Sequence, residues 1–421
     1  MSASNEPIFH PDGERLRANL AVLIAAQGLY VLMASIDLTL TGLVGYRIAP
    51  THALATLPYA LIFIAGTISP SPAALLMARA GRRTGFMAGA VFAALGGLVS
   101  VWAVAMHDFL LFCAGTALVG AYQGFAVYYR YAAADDAPPE RRPRVISYVV
   151  GAGVVAAVGG PFIAIGSRHL LAATYAGSYA VISLLALATI VVLLPLRMPP
   201  AAAQARDEPG AVEGAGAPRR PLRAVLSQGV FLVGVAGMAI GYFVMMLLMT
   251  VAPIAGEMHH HSTEQGAMVI QWHLIGMFAP SLASGILVAR LGAPQVLAVG
   301  TALAVLATTV DLVGTSQLNF LLALAGVGVA WNLMQVAGTT MVVQSYGPAE
   351  VTGTQAAAES STAVAATLGA LCSGVLLDTL GWRSLNVVAL CTLALPASLA
   401  VWYIGRPRLV GLARGATGST R

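Results

Sequence analysis

The chain has 421 residues, 58% hydrophobic and 9% charged, with a formal net charge of +5 from 22 basic and 17 acidic side chains. A soluble domain is about half apolar and about a quarter charged. Too little charge is present here to clothe a water-facing surface, which excludes soluble globular, disordered, collagen-like and nucleic-acid-binding classes. All 22 basic residues are Arg, so a P-loop lysine and Schiff-base lysine chemistry are excluded as well.

Residues 1–19 are polar, and Arg15 and Arg17 stand just ahead of the first apolar run. That run is too long for a signal peptide and predicts an uncleaved first helix. Crossing ~30 Å of hydrocarbon takes about 20 apolar residues. Twelve such runs are read: 20–46, 53–77, 84–106, 109–132, 145–167, 170–196, 224–252, 264–289, 295–315, 319–343, 353–377 and 383–405. Residues 197–223, rich in Pro, Ala, Gly and Arg, are the one long non-periodic interruption. They predict an all-α membrane protein of two six-helix halves, 1–200 and 223–421, joined by a cytoplasmic linker over 201–222.

Orientation follows from Arg, which favours the cytoplasmic side. With the N-terminus inside, 18 Arg fall in inside segments and three, Arg47, Arg168 and Arg383, in outside ones, while Arg130 ends the fourth span. Both termini are expected to be cytoplasmic.

Ionisable and polar groups within spans are costly unless paired or functional. Asp37, near the outer end of span one, is a candidate for proton coupling, with capping or pairing at the helix end as its competing role. Arg130 and Glu359 are the other embedded charges, read either as a pair or as separate anchors. Gln27, Tyr30, Tyr122, Gln123, Tyr242, Trp331, Asn332 and Gln335 lie on spans one, four, seven and ten. Amides beside aromatic rings suit a flat organic solute, and they also serve as ordinary interhelical contacts.

Span seven contains Met245 and Met249, and span eight contains His273 and Met277. Each pair is four residues apart and so shares a helix face. Thioethers and an imidazole form a soft, neutral donor set that suits Cu(I). Methionine at this spacing is also common packing. The loop between these spans carries Met258, His259, His260 and His261, a candidate for metal collection at the outer mouth or simply a polar loop. Cys113, Cys372 and Cys391 are too few and scattered for a disulfide framework or zinc knuckle and default to small buried residues.

The loop after span two reads Ala78-Arg79-Ala80-Gly81-Arg82-Arg83, and the loop after span eight reads Ala289-Arg290-Leu291-Gly292. A third cognate, Gly374 to Arg383 with Asp378, Gly381 and Trp382, closes span eleven, and span five carries Gly151, Gly153, Gly159, Gly160 and Pro161. These segments resemble the signature loops and glycine–proline helix of the major facilitator superfamily. The full loop pattern has an acidic residue where Ala78 and Ala289 stand, which puts its Asp–Arg contact in doubt. The resemblance implies twelve transmembrane helices in two parallel halves and transport by alternating access. Met245, Met249, His273 and Met277 further resemble the helix-seven and helix-eight motifs of the CcoA-type copper importers, a branch that also includes riboflavin transporters.

That resemblance implies a copper importer of the bacterial cytoplasmic membrane, with copper as cargo held by those four residues and no cofactor. Its partners would be the copper ion, or a small-molecule solute, and the lipid bilayer; no nucleic acid is implied, and a monomer is expected. The leading alternative is a transporter of riboflavin or another small organic solute. An exporter, a membrane sensor and an enzyme follow in that order, since the repeated halves argue against a sensor and no nucleophile–base set or cofactor motif is present.

Overall fold

The structure is a computed structural model, described over residues 11–138, 142–198, 220–347 and 350–405; most of the expected linker, 201–219, lies outside these residues. Every element in them is helical. In order they are α1 (Pro11–Ile48), a 3-10 turn (His52–Leu54), α2 (Leu57–Ile68), α3 (Pro70–Ala80), α4 (Arg82–Met106), α5 (Phe109–Ala126), α6 (Tyr128–Asp135), α7 (Arg142–Ser167) and α8 (Ala176–Leu193). There follow α9 (Leu222–Leu226), α10 (Gly229–Met249), α11 (Ala252–Met258), α12 (Thr263–Phe278), α13 (Ser281–Leu291), α14 (Ala293–Val313), α15 (Gln317–Val343) and α16 (Val351–Ile404).

Eight helices among the described residues are long and apolar enough to cross a bilayer. Two bent pairs supply further crossings: His52–Ile68 with Pro70–Ala80, bent by 46°, and Thr263–Phe278 with Ala283–Leu291, bent by 48°. The 54 residues of α16 extend about 80 Å at about 1.5 Å per residue, more than twice the hydrocarbon thickness. Gly381, at φ 75° and ψ 171°, breaks it into two spans. The twelve apolar runs of the sequence thus map onto helices, the fifth onto α7 with Pro161 inside it. The protein is an all-α, multi-pass membrane protein.

The three signature segments share one backbone device. Gly81 (φ 86°), Gly292 (φ 94°) and Gly381 (φ 75°) are the positive-φ glycines of the described residues, and each ends one helix and starts the next. A side chain is strained at such φ values, so glycine is the residue that lets the chain turn there without a loop.

The chain divides into two compact units, Met1–Val44 with Leu61–Pro209, and Gly45–Ala60 with Gly210–Arg421. In the first, α4 packs against α5 and α8. The contact is close because a Cβ on Gly96 would lie 2.6 Å from the Gly115 carbonyl oxygen, and one on Gly97 2.3 Å from Ser183 Oγ. At the end expected to face the cytoplasm, buried Asn19 donates from Nδ2 to Asp136 (2.7 Å) and to the Arg197 carbonyl (2.9 Å), tying α1 to the ends of α6 and α8. Arg82 pairs with Asp135. The signature loop lacks its own acidic residue, and the partner comes instead from the end of span four.

In the second unit, α14 packs against α15 and α16, α10 against the same two helices, and α12 against α15. Its entry from the linker is fastened by Arg220, whose Nε and Nη2 donate to Glu350 at 2.8 and 2.6 Å. These bonds, with the Gly347 N–H, hold the Glu350 carboxyl down to about 2 from its ordinary value. A depressed carboxyl stabilises the fold above the ordinary glutamate range and loses that contribution as pH falls toward its native value. Hydrogen exchange of amides 222–226, corrected for intrinsic rate, is therefore expected to be constant above about pH 5 and to quicken progressively below it. Glu350→Gln should exchange fast throughout; a wild-type profile unchanged from pH 7 to 3 would remove the clamp from this role.

Candidate functional site

Span ten, α15, is the helix around which the candidate residues of the second unit are arranged. On one side α12 lies against it without intervening side chains: a Cβ on Gly276 would stand 2.4 Å from the Ala325 carbonyl oxygen, and one on Gly328 2.5 Å from that of His273. This approach seats the His273 ring, fully buried, with Nδ1 2.7 Å from the Leu324 carbonyl oxygen. A carbonyl only accepts, so Nδ1 carries the proton and Nε2 keeps its lone pair. Nε2 has no hydrogen-bond partner among the described residues. Met277, one turn on, is 8% exposed, and its carbonyl accepts from Asn332 Nδ2 at 2.8 Å. The same amide group donates to Ser281 Oγ at 2.6 Å, which leaves Asn332 committed to α12 and α13.

On another side α10 packs against α15. Gly241 faces Met334, and the Met238 carbonyl lies 3.4 Å from Gln335 Nε2. Tyr242 and Trp331 meet edge to face with ring centroids 5.3 Å apart, and Trp331 Nε1 has no partner among the described residues. Tyr242, Trp331 and Gln335 are half-buried. They bring two aromatic rings, an amide and an indole N–H to the junction of α10 and α15, a composition that suits a flat, polar-edged solute.

Met245 and Met249 are buried and follow Gly241 at four and eight residues, on the face that turns toward α15. The structure keeps each Met and His pair on one helix face, but it sets the pairs on two helices that both pack against α15 and share no extended contact of their own.

Met258 is exposed, as are His259 and His260, the latter at a left-handed φ of 65°. His261 Nε2 donates to the Thr315 carbonyl at 2.7 Å, and the rings of His259 and His261 lean on Phe320 with centroids 6.3 and 5.6 Å from it. Among the described residues no three His, Cys, Asp or Glu side chains converge as a metal centre. The cysteines are free; Cys113 is buried, Cys372 half-buried and Cys391 exposed.

In the first unit Asp37 is 2% exposed. Thr41 donates to its Oδ1 at 3.1 Å and is itself 3.1 Å from the Tyr179 hydroxyl, while Oδ2 has no partner among the described residues. Tyr30 and Tyr122 meet edge to face at 5.5 Å, and the Tyr122 and Tyr129 hydroxyls are 2.9 Å apart. Arg130 lies over the Tyr131 ring, and Glu359 is exposed on α16. A second embedded carboxylate escapes the sequence reading: Asp311 of α14, 2% exposed, with both oxygens unpartnered among the described residues. Its signal was present, since it is the single acidic residue of the run 295–315.

A family model described as Major Facilitator Superfamily matches residues 18–310 and 262–418. The riboflavin transporter RfnT of Brucella anthropi is 34% identical over 376 residues, covering 89% of this chain and 93% of that protein. An uncharacterised MFS-type transporter of Bacillus subtilis, YdeG, is 28% identical over 87% of each chain. Among solved structures, a bacterial homologue of the human lysosomal transporter Spinster, inward-facing and unoccupied, superposes with a TM-score of 0.68 at 14% identity, covering 92% of this chain and 96% of that one.

Proposed function

The chain belongs to the major facilitator superfamily of transporters, and on that premise we propose that it carries riboflavin, or a flat heteroaromatic solute of the same kind, into the cell by alternating access. The observation that carries this reading is the Tyr242–Trp331 pair with Gln335, in a chain 34% identical to a riboflavin transporter over nearly its whole length. An isoalloxazine ring has two apolar faces and an edge of carbonyls and N–H groups. Aromatic rings take the faces, and an amide and an indole N–H take the edge. Asp37 supplies the coupling in this reading. A carboxyl group buried in a span with one oxygen unpartnered is placed to bind and release a proton as water reaches it from one side and then the other. The arginine distribution favours cytoplasmic termini, and the bacterial relatives support the inner membrane as the location.

Copper is the second reading, and it rests on His273. The bond from Nδ1 to Leu324 fixes the tautomer that leaves Nε2 free, as an outer hydrogen bond does for a metal-bound imidazole. In this reading copper would be held by His273 and Met277 of α12 and Met245 and Met249 of α10.

Uptake separates the two cargoes. In a bacterium that lacks its own riboflavin synthesis and import, expression of this protein is expected to restore growth on low external riboflavin and to give saturable uptake of the labelled vitamin. Radioactive copper, followed in parallel in a strain without a copper importer, should stay at background. Copper uptake without riboflavin uptake would reverse the order of the readings.

A further inference from the structure

Span eleven, 353–377, carries a single charged side chain, Glu359. Three contacts fix where it stands. Its neighbour Ala358 is buried in a cluster with Phe231 and Met238 of α10 and Val342 of α15. Further along, a Cβ on Gly369 would stand 2.5 Å from the Phe243 carbonyl oxygen, so the first part of α16 lies close along α10. Gln355, one turn before Glu359 and on the same helix face, donates from Nε2 to the Tyr346 hydroxyl at 2.7 Å. Glu359 is therefore level with Met238, one turn from Tyr242, on the face of α16 that turns toward the end of α15.

The carboxylate acts on the Tyr242 hydroxyl through space. It is exposed, and among the described residues no cation pairs with it. Hydrocarbon does not hold a lone carboxylate, so an exposed one within a span faces water. Met238, at the same level, has its carbonyl 3.4 Å from Gln335 Nε2. The junction of α10, α15 and α16 thus has two different ends. Two aromatic rings meet at Tyr242 and Trp331, and an anion that only accepts hydrogen bonds stands one turn away.

A flavin has the same asymmetry. Its ring is flat, and its tail is a chain of hydroxyls about as long, when extended, as the 5.4 Å of one helical turn. Hydroxyls donate to a carboxylate in strong, charge-assisted bonds. A phosphate at the end of that tail brings about −1.5 to −2 of like charge against the carboxylate instead.

We propose that Glu359 is the specificity-determining residue for the tail of the cargo: it accepts hydrogen bonds from a neutral polyol chain and rejects the phosphorylated form of the same flavin. The inference rests on the riboflavin reading and deepens it, since it names an unphosphorylated flavin as the cargo and flavin mononucleotide as the molecule refused.

The test is displacement of labelled riboflavin from the purified full-length protein in lipid nanodiscs. The competitors are riboflavin, flavin mononucleotide and lumiflavin, which has a methyl group in place of the tail. The parent is expected to bind flavin mononucleotide far more weakly than riboflavin. Glu359→Gln keeps the size of the side chain and removes its charge, and should narrow that gap about tenfold. It should weaken riboflavin by no more than about fivefold and leave lumiflavin unchanged. Glu359→Asp keeps the charge and should keep the gap. A gap unaltered in Glu359→Gln, with riboflavin still bound, would overturn the role of Glu359 and leave the cargo standing. Equal loss of riboflavin and lumiflavin in both variants would also overturn it, making Glu359 a structural residue. A parent that binds no riboflavin would overturn the cargo reading and this inference together.

Discussion

Trp331→Ala is expected to reduce riboflavin uptake between roughly tenfold and a hundredfold at equal expression, the largest loss of any single substitution in the second unit. Stacking a flat base on an aromatic side chain contributes about 1–3 kcal/mol, and the indole N–H, unpartnered among the described residues, adds a hydrogen bond that alanine cannot supply. Tyr242→Ala should approach the same loss, because it removes the other ring of the pair. Tyr242→Phe keeps the ring and should retain uptake within about threefold, the loss of a single hydrogen bond at most. The informative contrast is with the His273–Met277 pair of α12. His273→Ala with Met277→Ala should leave riboflavin uptake within about threefold once expression is matched, since the His273 ring is tied to the Leu324 carbonyl where α12 meets α15 and both side chains are buried. Saturable uptake that survives Trp331→Ala and fails with the His–Met pair would move the binding site to α12.

Asp37→Asn should abolish accumulation against a gradient, by more than about tenfold, while exchange of labelled for unlabelled riboflavin across the membrane persists. The amide matches the protonated carboxyl in shape and in its bond with Thr41, so the fold and the cargo site are kept. It cannot take up or release a proton, so the step that links cargo movement to the proton gradient is lost. Exchange needs no net proton movement and is the part that remains. Accumulation equal to wild type would make Asp37 a structural carboxyl that caps the Thr41–Tyr179 contact.

Most of the fold was legible because hydrocarbon imposes its demand on each span separately. A run such as 84–106 must satisfy its backbone within itself, so its helix is written locally. The signature glycines were equally plain, since a backbone turned at positive φ between two apolar helices favours the residue without a side chain. The partner of Arg82 was not legible: with Ala at position 78 the local pattern offers no acid, and Asp135 arrives from 53 residues away. The candidate site was half legible for a related reason. Spacing of four places Met245 with Met249 and His273 with Met277 on shared faces, but which neighbour each face meets depends on helix order around α15, which no local period encodes. The membership of residues 45–60 in the second unit is likewise a long-range fact, carried by contacts with positions more than two hundred residues further on.

The tightness of α15 against its neighbours has an evolutionary consequence. Backbone sits on backbone at Gly276 and Gly328, so neither position can grow without prising helices apart. A lineage built on this post can change what it carries most readily by exchanging side chains that do not wedge it, Tyr242, Trp331 and Gln335 foremost. New cargo would then come in small steps on an unmoved frame, and the post itself would change last.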